Sequence, residues 1–401
     1  MKLFSVMSVE ELNKELEQKL SDFNKIIEID LPLSMGYSLA EDIFAVEDTP
    51  QFFKSTVDGY ALSYLDTLSA SESMPSVFTL SGQIAIGEDV DYELDVHSCV
   101  YIHTGAMLPR GANAVIMIEQ TEKFSVTNEI LCFKSLAFNE NVTIPGSDIK
   151  KETLLFEKLQ VVDERVMAVL AAQGINRVKV LKPLEAIIIS SGNELVKYDE
   201  QISRGEIRDI NSFLIRGLLE KFNIKVKASY LLSDNRSTYV ETLRKHRADL
   251  YITSGGSSQG NEDYTFDVFN DLTDNIICHG LAIKPGKPTI VAASENSIYL
   301  GLPGNPVSAY LVLQRTLISI LRQNYKKSST KIYCNISQNI KSAPGKESII
   351  LVKLSDNYKL AHPIFYRSSN VLALSQADGY VIIKSGLEGL NENDKVEVLL
   401  F

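Results

Sequence analysis

The stretch Ile298-Tyr299-Leu300-Gly301-Leu302-Pro303-Gly304-Asn305-Pro306 decides the fold. A short apolar run enters a Gly/Pro turn, and a helical pattern over 305–322 follows. Pro306 suits the first helical position, where its missing N–H costs nothing, and Asn305 is placed to cap. Gly304 lets backbone approach a ligand closely, and the unpaired N–H groups of the helix start favour an anion. The same grammar recurs upstream. Ile187-Ile188-Ile189 runs into Ser190-Ser191-Gly192-Asn193-Glu194, and Tyr251-Ile252-Thr253 runs into Ser254-Gly255-Gly256-Ser257-Ser258-Gln259-Gly260. Ile283-Lys284-Pro285-Gly286-Lys287-Pro288 precedes a further strand. Apolar runs at 186–189, 225–231, 250–253, 289–292 and 298–300 alternate with helical patterns at 211–222, 236–247 and 263–271. That alternation predicts a doubly wound parallel sheet over 178–326. Ligands of such sheets bind beyond the carboxyl ends of the strands. One such loop is an ordinary tight turn; four of them within 120 residues point to a shared site.

Outward from the sheet, the texture changes. Residues 8–20 read as an amphipathic helix with Ser8 and Glu11 as a capping box and Leu12, Leu16 and Leu20 at i+4 spacing. Residues 159–172 read as a second helix ending near Gly174. The expected organisation has four parts: 1–48 with 145–177, an extended N-terminal α/β region; 49–144, a β-rich module; 178–326, the α/β domain; and 327–401, a small all-β, barrel-like domain.

The 401-residue chain is 45% hydrophobic and 23% charged, which excludes a disordered tail protein. Its net charge of −11 excludes the basic stripe that duplex nucleic acid demands. No apolar run reaches the roughly 18 residues of a membrane span, and no secretory signal is visible. Cys99, Cys132, Cys278 and Cys334 are widely spaced and read as reduced thiols of a cytoplasmic protein. The charge is unevenly spread. The first 100 residues hold 19 acidic and five basic side chains, whereas Lys284, Lys287, Arg315, Arg322, Lys326 and Lys327 face only Glu295 within 277–327. Lys284 and Lys287 flank a stiff Pro-Gly turn, where fixed ammonium groups suit phosphate. Glu194, Asp209, Asp234 and Asp263 fall at loops or helix starts of the same domain. A few carboxylates beside phosphates suit Mg²⁺, which takes one or two protein oxygens and keeps its waters. Taken singly ahead of a helix, Asp209 and Asp263 read as N-caps instead. His103 and His279 read as structural. No Ser/His/Asp signature, HExxH or P-loop is present, so hydrolase and kinase readings lack support.

Taken in order, the motifs resemble the MoeA family of molybdopterin molybdenumtransferases, which includes the E domain of gephyrin. The resemblance runs through Thr56-Val-Asp-Gly-Tyr-Ala, Ile102-His-Thr-Gly-Ala, Pro109-Arg-Gly-Ala-Asn-Ala-Val, Gly146-Ser-Asp-Ile, Ser191-Gly-Asn-Glu-Leu, Thr253-Ser-Gly-Gly, Asp263-Tyr, Leu281-Ala-Ile-Lys-Pro-Gly-Lys-Pro and Gly301-Leu-Pro-Gly-Asn-Pro-Val-Ser-Ala. It implies four domains, the third resembling molybdopterin adenylyltransferases (a MogA-like fold), and a homodimer with an inter-subunit active site. It implies insertion of molybdate into adenylylated molybdopterin with Mg²⁺, releasing AMP. Asp58, Thr104, Asp148, Glu194, Asp234 and Asp263 match the family's catalytic positions, with Glu194, Asp58 and Asp148 as candidate metal ligands. Ser254, Gly255, Gly256, Lys284, Lys287, Pro303, Gly304, Asn305 and Pro306 are the candidate substrate-binding residues. The implied partners are molybdopterin-AMP, molybdate, a molybdopterin adenylyltransferase and molybdoenzyme maturation proteins.

The chain departs from the family pattern at several positions. Thr56-Val57 stands where Ala-Met is usual. Val142-Thr143-Ile144-Pro145 replaces an Arg-rich run, which removes a fork-shaped anion contact. Asn193 replaces an acid, and Ser257 and Gln259 replace apolar residues. These departures suit either a divergent enzyme or a catalytically weakened paralogue that binds molybdopterin or assists assembly. A molybdopterin adenylyltransferase is the reading that the third domain alone would support.

Overall fold

The computed structural model describes residues 6–124, 126–255, 264–273, 275–324, 331–355, 357–366 and 370–401. Two compact units emerge: Met1–Ala40, Leu159–Asp163 and Arg177–Phe401 form one, Glu41–Lys158 and Glu164–Asn176 the other.

At the centre of the first unit is a six-stranded sheet. Its order is Lys225–Leu232, Glu185–Ser191, Leu250–Ser254, Ile298–Leu302, Ile290–Ala293, Asn275–His279. The first four strands are parallel. The expected doubly wound parallel domain is present, with one reversed strand: Ile290–Ala293 pairs antiparallel with both Ile298–Leu302 and Asn275–His279. The physical reason is the link between Ala293 and Ile298, a tight turn closed by Ser294 N–H on the Ser297 carbonyl at 2.9 Å. Such a turn can join only antiparallel strands, because parallel neighbours need a crossover of a dozen or more residues. Leu250–Ser254 and Ile298–Leu302 are buried along their whole length, as a sheet covered on both faces requires. Side chains alternate between two cores. Ile188, Ile252 and Leu300 join one cluster; Ile187, Ile189, Tyr251 and Tyr299 join the other.

Helices flank the sheet. Asn211–Lys221, Arg236–Lys245 and Tyr264–Leu272 follow the sequence pattern closely. The expected single helix over 305–322 is instead two, Pro306–Arg315 and Leu317–Asn324. Between them Thr316 leaves helical geometry, at φ −104° and ψ −100°, and its hydroxyl donates to the Val312 carbonyl at 2.7 Å. The N-terminal helix Val9–Ser21 has the anticipated capping box, Ser8 with Glu11. Leu12, Leu16 and Leu20 enter the same core as Ile188 and Leu300, while Glu10, Glu11, Glu15 and Glu17 remain exposed.

Toward the C-terminus, Lys331–Ile336, Glu347–Leu354, Leu360–Pro363, Gly379–Ile383 and Lys395–Leu400 close into a five-stranded barrel. Ile336, Val352, Ile383 and Val398 fill it. The short strand Ile283–Lys284 adds to the barrel in parallel, Ile283 opposite Glu347.

In the second unit another six-stranded sheet runs Ala114–Met117, Gly59–Leu62, Ser98–Ile102, Ser76–Ile84, Glu129–Cys132, Thr121–Phe124. It is packed on both sides, by clusters around Phe78 and Ile116 and around Ile84 and Val100. Gly59 is required here: a Cβ would stand 1.9 Å from the Ile116 carbonyl oxygen.

Candidate active site

The parallel part of the central sheet has chain order 2-1-3, so its switch point lies between Glu185–Ser191 and Leu250–Ser254. The loops leaving the carboxyl ends of those strands wall a cavity of about 740 Å³. It brings together Glu194, Asp234, Ser254, Gly255, Pro303, Gly304, Asn305 and Pro306, eight of the residues expected from sequence. Gly256 and Asp263, with Ser257 and Gln259, lie outside the described residues.

Each wall has a local cause. Gly255 sits at φ +99°, and a Cβ there would come within 2.0 Å of the Ser191 carbonyl oxygen. Only glycine lets these two strand ends approach so closely. Asn305 is the N-cap residue and Pro306 follows at the helix start, as expected. The Asn305 side chain, however, makes no capping hydrogen bond, which corrects the expected cap and leaves the N–H groups of the helix start without it. Asp234 and Asn193 exchange bonds: Asp234 N–H donates to Asn193 Oδ1 at 3.0 Å, and Asn193 N–H to Asp234 Oδ2 at 3.3 Å. An amide at 193 therefore ties two loops without setting a second carboxylate against Asp234.

Asp209 is buried and stands one residue ahead of the N-cap, Ile210, rather than at it; it accepts from Ser212 N–H at 3.2 Å and from the Ser190 hydroxyl at 2.9 Å. Glu194 is exposed at the cavity wall, its carboxylate folded over Gly192. Lys284 and Lys287 do not line this cavity, although Pro288 of the same turn does. Both are exposed, and the turn is anchored by Gly286, at φ +124° against Val312.

Asp58, Thr104 and Asp148 lie in the second unit. Thr104 N–H donates to Asp58 Oδ1 at 2.8 Å and its hydroxyl does so at 3.3 Å. His103 Nδ1 stands 3.5 Å from the same oxygen. The Thr104 backbone N–H is the main cause that holds the Asp58 carboxyl below its ordinary 3.8. Asp148 N–H donates to the Thr49 carbonyl at 3.1 Å, in the loop that Gly146 opens at φ +69°. Among the described residues no three His, Cys, Asp or Glu side chains are grouped to hold a metal. Of the three candidate metal ligands Glu194 alone lines this cavity, and one carboxylate suits Mg²⁺ only where water or phosphate completes the shell.

A depressed Asp58 pKa makes a directional prediction. The carboxylate hydrogen bond contributes above pH 3.8 and is lost as pH falls through the lower folded value. Because a backbone donor dominates, Thr104→Ala is expected to leave the Asp58 titration, followed by carboxyl ¹³C NMR, still below 3.8. A return to 3.8 would assign the shift to the hydroxyl instead.

Sequence reasoning missed four cavity residues, Ile207, Arg208, Ile210 and Asn211, all at the approach to helix Asn211–Lys221. The available signal was the polar trio Arg208, Asp209 and Asn211 around a helix start in the same strand-end region.

Comparison with known proteins bears on this geometry. Three family profiles match: the MoeA N-terminal region (domain I and II) over residues 7–174, the probable molybdopterin binding domain over 187–323, and the MoeA C-terminal region (domain IV) over 335–401. A molybdopterin molybdenumtransferase of Staphylococcus epidermidis is 29% identical over 384 residues, covering 94% of this chain and 91% of its own. One from Staphylococcus aureus is 28% identical over 397 residues, with 93% and 91% coverage. A solved molybdopterin biosynthesis MoeA structure from Pyrococcus horikoshii superposes at TM-score 0.87 with 32% identity, covering 99% of each chain. A second, from strain OT3, gives 0.76 at 27% identity, with 99% and 100% coverage. Among the described residues no helix is long and apolar enough to cross a membrane.

Proposed function

The chain belongs to the MoeA family and thereby to molybdenum cofactor biosynthesis, and from that premise we propose that it is a transferase inserting molybdate into adenylylated molybdopterin with release of AMP. One observation carries the reading furthest: the expected residues at 194, 234, 254–255 and 303–306 line one cavity at the sheet's switch point.

Such a site must hold an oxyanion, a pyrophosphate and a dithiolene together. The helix start at Asn305–Pro306 offers N–H groups to phosphate oxygens. Lys284 and Lys287, on an anchored turn, lower the repulsion between like charges. Glu194 would orient water or hold Mg²⁺, with Asp58 and Asp148 as further candidates. Bound Mg²⁺ would supply charge neutralisation at the anhydride. Water attacks the adenylyl phosphorus, the anhydride P–O bond breaks and AMP leaves from molybdopterin phosphate; the two dithiolene thiols then displace one oxo group of molybdate, which departs as water with their two protons. Thr104 positions Asp58; Asp234 and Asn193 hold the cavity's loops. We further propose a homodimer whose active site is shared between subunits, as the family resemblance implies.

The test is AMP release from adenylylated molybdopterin with Mg²⁺, with and without molybdate. Molybdate-dependent release is expected. Ligand binding without it would leave the weakened paralogue, and AMP transfer from ATP would support the adenylyltransferase. A milder effect is expected at the basic turn: Lys284→Ala should raise KM about two- to fivefold, less at high salt. A KM independent of this substitution at low salt would remove Lys284 from substrate binding.

A further inference from the structure

Asn211 opens the helix Asn211–Lys221 and lines the cavity, with only 9% of its surface exposed. Its Nδ2 is fully used, donating to the Ser254 hydroxyl and to the Gly304 carbonyl at 2.8 Å. Its Oδ1 is buried and has no hydrogen-bond partner among the described residues. The amide cannot simply be reversed, since Oδ1 would then face the Gly304 carbonyl, acceptor against acceptor. An unpaired buried carbonyl oxygen costs about 1–3 kcal/mol, and native proteins keep few of them outside functional sites.

We propose that Asn211 is a substrate-binding residue whose Oδ1 accepts a hydrogen bond from an N–H group of the pterin ring. This rests on reading the cavity as a molybdopterin site, and it adds which part of the ligand lies where. An amide oxygen accepts and cannot donate, so it does not bind a phosphate oxygen. Asp209, Asp234 and Glu194 line the same cavity and add further acceptor groups to it. The donors are at the start of helix Pro306–Arg315. The cavity therefore offers two kinds of group: N–H donors at a helix start for phosphate and acceptors for a heterocycle rich in N–H. A pterin, with its amino group and ring N–H groups, matches the second.

The experiment measures binding of metal-free molybdopterin and of AMP, separately, to the full chain by calorimetry. Asn211→Ala is expected to weaken molybdopterin at least tenfold while AMP changes less than twofold. Asn211→Asp, measured at mildly acidic pH where a buried carboxyl stays protonated, keeps an acceptor oxygen and an O–H donor for the Gly304 carbonyl; it is expected to recover molybdopterin affinity to within about threefold of the native chain. A residue that only ties the Ser254 and Gly304 loops together would behave otherwise, with Asn211→Asp as weak as Asn211→Ala. That result overturns the assignment. So does equal loss of AMP and molybdopterin, or unchanged molybdopterin affinity in Asn211→Ala. Should the alanine variant not fold, Asn211→Ser, too short to reach the same point, gives the same comparison. A native chain that binds no molybdopterin and releases no molybdate-dependent AMP would instead sink the functional reading itself.

Discussion

Glu194→Gln is expected to slow molybdate-dependent AMP release by about 10²–10³-fold, the scale on which removal of one preorganised electrostatic group acts. Three acids line the cavity, and the structure gives them different work. Asp209 is held by Ser190 and Ser212 at a helix start. Asp234 is held by the Asn193 backbone. Glu194 is exposed, and no hydrogen bond to its carboxylate is found among the described residues, so its charge is available to a metal or a water. Glutamine keeps the shape and removes the charge. Thermal unfolding should therefore stay within about a degree, since an exposed substitution usually changes stability by less than 0.5 kcal/mol. The Mg²⁺ requirement should rise in parallel with the loss of rate. Single-turnover AMP release across a Mg²⁺ series measures both. Normal turnover in the variant would end the assigned role of Glu194.

How far the sequence carries toward this site depends on the kind of physics involved. Leu12, Leu16 and Leu20 announce a helix because one buried face repeats every 3.6 residues. Gly255 marks a close backbone approach that another residue would block, and Gly304 lies beside it, although a Cβ at 304 would meet Gly255 Cα at an ordinary 3.7 Å. Strand direction is less legible. Ile290–Ala293 and Ile298–Leu302 are short apolar runs of the same texture as the parallel strands, and buried strands of either kind satisfy the same core. The break at Thr316 is also hidden, since a local hydroxyl bond to Val312 competes with the helix where periodicity continues on both sides. Asn211 was invisible for a different reason: its value lies in which strand ends surround it, and no local pattern states that. Lys284 was readable as a charge but not as a neighbour of the barrel, because its partner Ser348 is more than sixty residues away.

Glu347→Ala is expected to cost about 3–5 kcal/mol of stability, the range for stripping one partner from a buried ion pair. Arg315 Nε meets Glu347 Oε1 at 2.6 Å and Nη2 meets Oε2 at 2.9 Å, a two-pronged contact with side chains only 19% and 11% exposed. The alanine leaves a guanidinium in that setting with its main counter-charge gone. Its position multiplies the consequence. Arg315 ends the helix that starts at the cavity, and Glu347 begins the barrel strand beside Ile283–Lys284. Loss of the pair therefore loosens both the anion-facing helix and the strand carrying Lys284. The melting temperature should fall on the order of 10 °C, with little dependence on salt because the pair is shielded from solvent. Replacing both partners, Arg315→Met with Glu347→Leu, should restore most of the stability, since an apolar pair of similar volume avoids the cost of burying charge. If Glu347→Ala loses less than about 1 kcal/mol, in the range of exposed pairs, the contact is peripheral and the barrel is held on by its apolar surface alone. If the double variant is no better than the single one, hydrogen-bond geometry rather than unpaired charge sets the cost.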